Sequence, residues 1–254
     1  MSESKERFSD RVDDYVKYRP GYPTAVVEAL ARAHGFAPPA AIADLGAGTG
    51  ISSRLFLDAG YEVFAVEPNA PMRSAAERDG SRYPKFHSIA GSAEATTLAS
   101  SSVDAVLAAQ AFHWFDHAAA KSEMSRILRG PRLVVLLWNE RRISGRFLEA
   151  YERLLVDAGV DYLRVRHQDA ASPEIIRAFY DREPQVHVFD NVQRFDREGL
   201  LGRARSSSYV PKPGAPGHDA FFAALSALFD AHAENGTVAF EYDTRMYVGA
   251  LDPS

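Results

Sequence analysis

No cysteine occurs anywhere in the 254 residues, so disulfides, cysteine-ligated metals and a thiolate nucleophile are all excluded. A basic excess is missing too. With 34 acids against 29 Lys and Arg the net charge is -5, which leaves no electrostatic case for a nucleic-acid partner. No run of about 18 apolar residues could span a bilayer, and the N-terminus, Met1-Ser2-Glu3-Ser4-Lys5-Glu6-Arg7, is polar and charged. A soluble cytoplasmic protein without a membrane partner is expected. Neither a G-x-S-x-G elbow nor a P-loop is present, so covalent hydrolysis and nucleotide hydrolysis have no support. His34, His87, His117, His167, His187, His218 and His232 show no metal-ligand spacing. They read as surface or packing residues, and no metal is expected.

What the chain does have is enough apolar content, 46%, to bury a full core in one domain over 1–254. Strand-like runs recur at 41–45, 62–66, 86–90, 103–108 and 133–138, with helical patterns at 51–59, 70–78 and 117–129 between most of them. Such alternation predicts an α/β fold with a parallel sheet and right-handed crossovers. Residues 1–40 read as an N-terminal cap, 41–139 as a cofactor-binding core and 140–184 as a helical insertion or lid. In 185–254, the runs 185–190 and 238–248 alternate like half-exposed strands around a helix at 220–232 and complete the sheet. The Pro- and Gly-rich stretch 211–217 is a loop by composition, either a gate or a connector.

The most informative ten residues are Ala41-Ile42-Ala43-Asp44-Leu45-Gly46-Ala47-Gly48-Thr49-Gly50. A short apolar strand delivers an acid into a glycine turn, and a helix pattern starts at once. Glycines permit backbone shapes and a close ligand approach that a Cβ would obstruct, and the helix N-terminus offers N–H groups. A dinucleotide fingerprint needs a third glycine where Ile51 stands, which argues against a nicotinamide or flavin oxidoreductase. Glu67 follows the next strand, 23 residues after Asp44, near the distance at which an acid takes ribose hydroxyls.

The G-x-G-x-G spacing with Asp44 before it resembles motif I of class I S-adenosylmethionine-dependent methyltransferases. Together with Glu67-Pro68-Asn69, Gly91-Ser92-Ala93-Glu94, Gln110-Ala111-Phe112-His113-Trp114-Phe115-Asp116 and Tyr18-Arg19-Pro20-Gly21-Tyr22-Pro23, it is similar to the type 11 group and its trans-aconitate methyltransferase-like branch. That resemblance implies a three-layer α/β/α Rossmann-like fold with sheet order 3-2-1-4-5-7-6 and strand 7 antiparallel. It implies S-adenosylmethionine as cofactor and S-adenosylhomocysteine as product. The cofactor residues it suggests are Tyr18, Arg19, Asp44, Gly46, Ala47, Gly48, Glu67, Pro68, Met72, Ser92, Ala93, Glu94, Gln110 and Ala111. Many relatives carry an aspartate where Ser92 stands, so the adenine contact falls to backbone groups or Glu94, unless Ser92 simply caps a helix.

On this reading His113 is the catalytic candidate, accepting a proton from the acceptor or hydrogen-bonding to it. Tyr15, Trp114, Trp138, Asn139 and Tyr209 are candidates for the acceptor. For Trp138 core packing is the competing reading, and for Phe112, Trp114 and Phe115 it is closure of the next helix with Asp116 as its N-cap. The expected reaction is in-line methyl transfer to a small molecule, O-methylation of a carboxylate or hydroxyl, with alignment in a dry cleft supplying much of the catalysis. The resemblance makes a small carboxylic acid a candidate, served by arginines among 141, 142, 164, 166, 203 and 205. The alternative is a methyltransferase-like fold that binds cofactor or partner without turnover. Oligomeric state is left open.

Overall fold

The computed structural model describes residues 17–158, 162–165 and 172–251. Seven strands form one sheet: β1 (Ala41–Leu45), β2 (Glu62–Val66), β3 (Phe86–Ile89), β4 (Val103–Ala109), β5 (Leu128–Arg141), β6 (Gln185–Phe195) and β7 (Val238–Ala250). Their order is β3-β2-β1-β4-β5-β7-β6. The first five pair in parallel, and β7 runs antiparallel to both β5 and β6. Both the order and the reversed seventh strand are as the resemblance implied.

Strand periodicity divides the core into two layers. On one face Ile42, Val63, Leu107, Val135 and Leu137 pack beneath α1 (Ala25–His34) and α2 (Ile51–Asp58). On the other, Ala43, Leu45, Val66, Val106 and Leu136 meet α4 (His117–Ile127) and α7 (Pro173–Phe179). Both faces of β1 are buried along its whole length, as a central parallel strand between helical layers must be. Between β2 and β3 lies α3 (Ala70–Gly80).

The long strands β5, β6 and β7 run past the short parallel ones and carry a second lobe. There α5 (Arg146–Ala158), α8 (Arg197–Arg205) and α9 (His218–His232) pack on Phe240 and Tyr242, while α6 (Tyr162–Val165) contributes the buried Tyr162. In α5 the buried Phe147, Leu148, Tyr151 and Leu155 form the expected helical stripe. The strand expected at 133–138 is longer, Leu128–Arg141, and α4 ends at Ile127. Gly130 and Arg132 adopt positive φ in the added first turn of β5, an irregularity that hides the strand's start from a periodicity reading.

Candidate functional site

A cavity of about 590 Å³ opens beyond the carboxyl ends of β1, β2, β4 and β5, at the point where strand order reverses. Its first wall is the glycine turn. Gly46 and Ala47 donate to the Val66 carbonyl, at 2.9 and 3.2 Å, so β1 and β2 end locked together. Gly46 has φ +69, and a Cβ on it would lie 2.6 Å from the Ala111 Cβ. The turn is therefore pressed against the segment after β4. Glu67 is buried, and its carboxylate accepts from the Gly48 N–H at 2.9 Å and the Asn69 N–H at 2.8 Å. Two backbone donors thus fix a carboxylate at the cavity edge. Asn69 caps α3 by accepting from the Met72 N–H, which sets Met72 in the wall beside Pro68.

Asp44 does not line the cavity. It lies beneath the turn, 1% exposed, with one carboxylate oxygen accepting from Ser52 and Ser53 at 2.7 Å each and the other without a partner among the described residues. Burial pushes its carboxyl up from 3.8 to about 6, with Glu67 adding to the rise and the two serines opposing it. The folded form therefore keeps its proton to higher pH than the unfolded one. Lowering the pH from about 7 to about 4 should strengthen the fold by roughly 2 kcal/mol through this group, and Asp44→Asn should abolish that gain. Denaturant melts of both proteins at the two pH values check it. Equal pH dependence in wild type and variant would sink the assignment.

After β3, Ser92 and Ala95 exchange backbone hydrogen bonds in a tight turn. No helix starts there, so Ser92 caps none. Glu94 accepts from the Asp116 N–H at 3.0 Å, tying this turn to the loop after β4. Asp116 caps α4 through the N–H groups of Ala118 and Ala119, as one of the two sequence readings had it. Ser92, Ala93, Glu94 and Asp116 all line the cavity. Gln110, at φ +55, stands in a conformation that costs a non-glycine residue roughly 1–2 kcal/mol. Its Nε2 donates to the Asn139 carbonyl at 3.1 Å, while its Oε1 has no partner among the described residues. The left-handed backbone and the amide bond to β5 hold Gln110 in the cavity wall.

The aromatic cluster divides by position. Phe112 is core, stacked on His117 and edge-on to Trp138 and Phe179. Trp114 and Phe115 line the cavity, and Trp114 is 44% exposed at its mouth. His113 lies between, with burial, and secondarily His117, lowering its pKa to about 4. It is neutral at pH 7, which makes it a hydrogen-bond partner and a weak base. Trp138 touches the cavity but is 1% exposed and packed among core residues. Asn139 reaches the wall with its amide engaged on both sides: it donates to the Gly21 carbonyl and accepts from Thr244 and Asn191. These bonds pin the N-terminal segment over the sheet and hold Asn139 in the cavity wall.

The far end of the cavity belongs to the second lobe. Arg19 donates to the Ser206 carbonyl at 2.9 Å, and Arg141 donates to Tyr162 and Glu152. Arg203, 6% exposed, donates to Ser207. All three arginines and Tyr209 line the cavity. Burial alone would raise the Tyr209 phenol, but Arg203, Arg19 and Arg141 outweigh it and lower its pKa. Of the arginines considered from sequence, Arg142 is instead paired with Asp190 and Asp243, and Arg205 is off the lining. The Arg164 side chain and Arg166 lie outside what is described, as does Tyr15. Tyr18 is also off the lining: its ring fills the space at Gly202, where a Cβ would lie 2.1 Å away.

A profile of the methyltransferase domain family matches residues 43–134. An uncharacterised methyltransferase of Mycobacterium tuberculosis is 38% identical over 136 residues, 53% of this chain and 52% of that protein; the match spans about half the relative's length. An uncharacterised methyltransferase of Schizosaccharomyces pombe is 32% identical over 204 residues, 80% of this chain and 79% of the relative. Among solved structures, a candidate type II methyltransferase from Anaeromyxobacter dehalogenans aligns over 93% of this chain and 100% of its own, with TM-score 0.72 at 24% identity. A candidate methyltransferase from an antibiotic biosynthesis pathway of Anabaena variabilis aligns over 91% and 98%, with TM-score 0.59 at 23% identity. These two likenesses are of fold.

Proposed function

This chain belongs to the class I S-adenosylmethionine-dependent methyltransferases, and from that membership we propose that it methylates an oxygen, carboxylate or hydroxyl, of a small-molecule acceptor. The observation that carries this reading is the continuity of one cavity. It runs from Gly46, Gly48 and Glu67 past Gln110 and His113 to Trp114 and Tyr209, and its volume is that of a small-molecule site.

The residues present fit the cofactor. The Gly46–Gly48 turn lines the cavity with backbone at positive φ, Glu67 offers a fixed carboxylate to ribose hydroxyls, and Gln110 stands on the same wall. S-adenosylmethionine, when bound, supplies an electrophilic methyl group on a cationic sulfur. The buried charge of Asp44 and Glu67 suits a cationic ligand. Trp114 and Phe115 exclude water from the junction, and His113, neutral at working pH, hydrogen-bonds to the acceptor and holds it in line. A carboxylate acceptor needs no base, consistent with the depressed pKa of His113. Rates between about pH 6 and 8 should accordingly show no step that His113→Asn removes.

Calorimetric titration with S-adenosylhomocysteine, with NAD as control, is the direct test. Micromolar binding of the former alone is expected, and Glu67→Gln should weaken it roughly tenfold or more, since a hydrogen bond to a charged group is being replaced. Transfer from S-adenosylmethionine to a panel of small carboxylic acids and alcohols then identifies the acceptor. Equal binding of NAD, or no binding of S-adenosylhomocysteine, would sink the reading.

A further inference from the structure

Among the described residues, two of the large apolar side chains that stand exposed to solvent, Trp114 at 44% and Ile143 at 43%, also line the cavity. Exposed apolar residues scattered singly need no explanation. These two are not scattered. Strands β4 and β5 are adjacent and parallel, with Ala109 beside Leu137, so the segments that carry Trp114 and Ile143 leave the sheet side by side. Both positions are held by backbone hydrogen bonds. The N–H groups of Trp114 and Phe115 donate to the Ala111 and Phe112 carbonyls at 2.9 and 3.1 Å, and the Trp114 ring leans on His113 with centroids 4.8 Å apart. Just before Ile143, the Arg142 N–H donates to the Glu241 carbonyl at 2.9 Å, and its guanidinium holds Asp190 and Asp243. A pinned backbone thus presents an indole and a branched aliphatic chain at the cavity rim, and Phe115 continues that apolar wall inward.

We infer that Trp114 and Ile143 form a lip for an apolar body of the acceptor, which enters with its reacting oxygen toward His113 and Gln110 and rests its uncharged chain on the two side chains. The substrate class is then an amphiphile: a monocarboxylic acid or an alcohol with an apolar chain. Volume supports this. A cavity of about 590 Å³ is the size of one small-molecule site, so a cofactor seated at Gly46 and Glu67 leaves room for the reacting end of the acceptor and sends the rest to the rim. Charge supports it as well. Beside the lip, Asp116 is spent capping α4 and Arg142 on its two aspartates, so a second charged group on the acceptor would meet apolar side chains there without a partner. This inference rests on the methyltransferase reading above and narrows its acceptor.

The test uses full-length protein saturated with S-adenosylhomocysteine, titrated by calorimetry with the straight-chain monocarboxylates from acetate to octanoate and with the matching alcohols. In at least one series affinity should climb roughly twofold to fourfold with each methylene that reaches the lip, at one molecule per chain. Suberate, which ends the octanoate chain in a second charge, should bind more weakly than octanoate. Trp114→Ala and Ile143→Ser should each flatten the climb, whereas Val192→Ser, at an exposed valine of β6 off the cavity wall, should leave it intact. Emission gives a second readout. Trp114 and Trp138 are the two tryptophans of the chain, and Trp138 is already buried, so a blue shift on adding the longest member of the climbing series reports Trp114 leaving water, and Trp114→Phe should remove it. Flat affinities in both series, a climb that survives both lip variants, several molecules bound per chain, suberate tighter than octanoate, or an unshifted emission would each overturn the lip. Loss of S-adenosylhomocysteine binding in wild type would instead count against the methyltransferase reading, and the same series are then run on the protein alone.

Discussion

Gly46→Ala should weaken S-adenosylhomocysteine binding by about 100-fold or more while leaving a folded protein. Two effects add. At φ +69 an alanine pays a left-handed penalty of roughly 1–2 kcal/mol. Its Cβ would also lie 2.6 Å from the Cβ of Ala111, about 1 Å inside the usual carbon–carbon separation of roughly 3.5–4 Å. Neither carbon is the end of a flexible side chain, so the turn and the segment after β4 must move apart. Displacement on the scale of 1 Å at a positioning element costs on the order of 100-fold. Gly214→Ala is the matching control, with φ +80 and nothing near its Cβ: it bears the strain without the clash and should leave affinity intact. The double variant Gly46→Ala with Ala111→Gly removes the offending methyl and should recover most of the loss beyond the strain, a coupling that a double-mutant cycle measures. Wild-type affinity in Gly46→Ala would mean that the turn is not the cofactor cradle.

The glycine turn was legible because every level of the sequence agrees there: a strand buried on both faces, glycines at each left-handed position and a helix beginning at Ile51. Glu67 was legible for the same reason, as the residue that a buried strand must deliver to the crevice. The sheet order was not readable from periodicity and came only with the resemblance. What sequence reasoning missed is α8. Its nine residues include two glycines and three arginines and bury only a few apolar side chains, so no stripe announces a helix. Its start is marked by Asp196 accepting from the Gly199 N–H, a local signal that could have found it. Missing α8 left Arg203 as one arginine among several, because only the packing of α8 on Tyr18 and Phe240 separates it from solvated neighbours. The bonds that hold Asn139 in the cavity wall were hidden for a related reason. Its partners Gly21, Asn191 and Thr244 come from three distant parts of the chain, and no spacing within β5 reveals them.

Trp138 admits both an acceptor wall and core packing in sequence terms, and the two make different predictions for its removal. The ring is 1% exposed and lies edge-on to Phe112 and Tyr247, between the layer under α4 and the antiparallel half of the sheet. Trp138→Ala should cost about 3–5 kcal/mol, the sum of lost transfer energy and an unfilled hole. For a chain of this size that lowers the melting temperature by roughly 6–20 °C. Trp138→Phe should cost much less than its lost area suggests. The indole N–H has no partner among the described residues, and deleting an unsatisfied buried donor returns part of the packing loss. If Trp138 is chiefly core, Trp138→Phe keeps S-adenosylhomocysteine affinity and acceptor KM within a few-fold. A Trp138→Ala protein that melts with wild type yet no longer discriminates among acceptors would reverse the assignment, making the indole a wall of the acceptor site and the core around it tolerant of the hole.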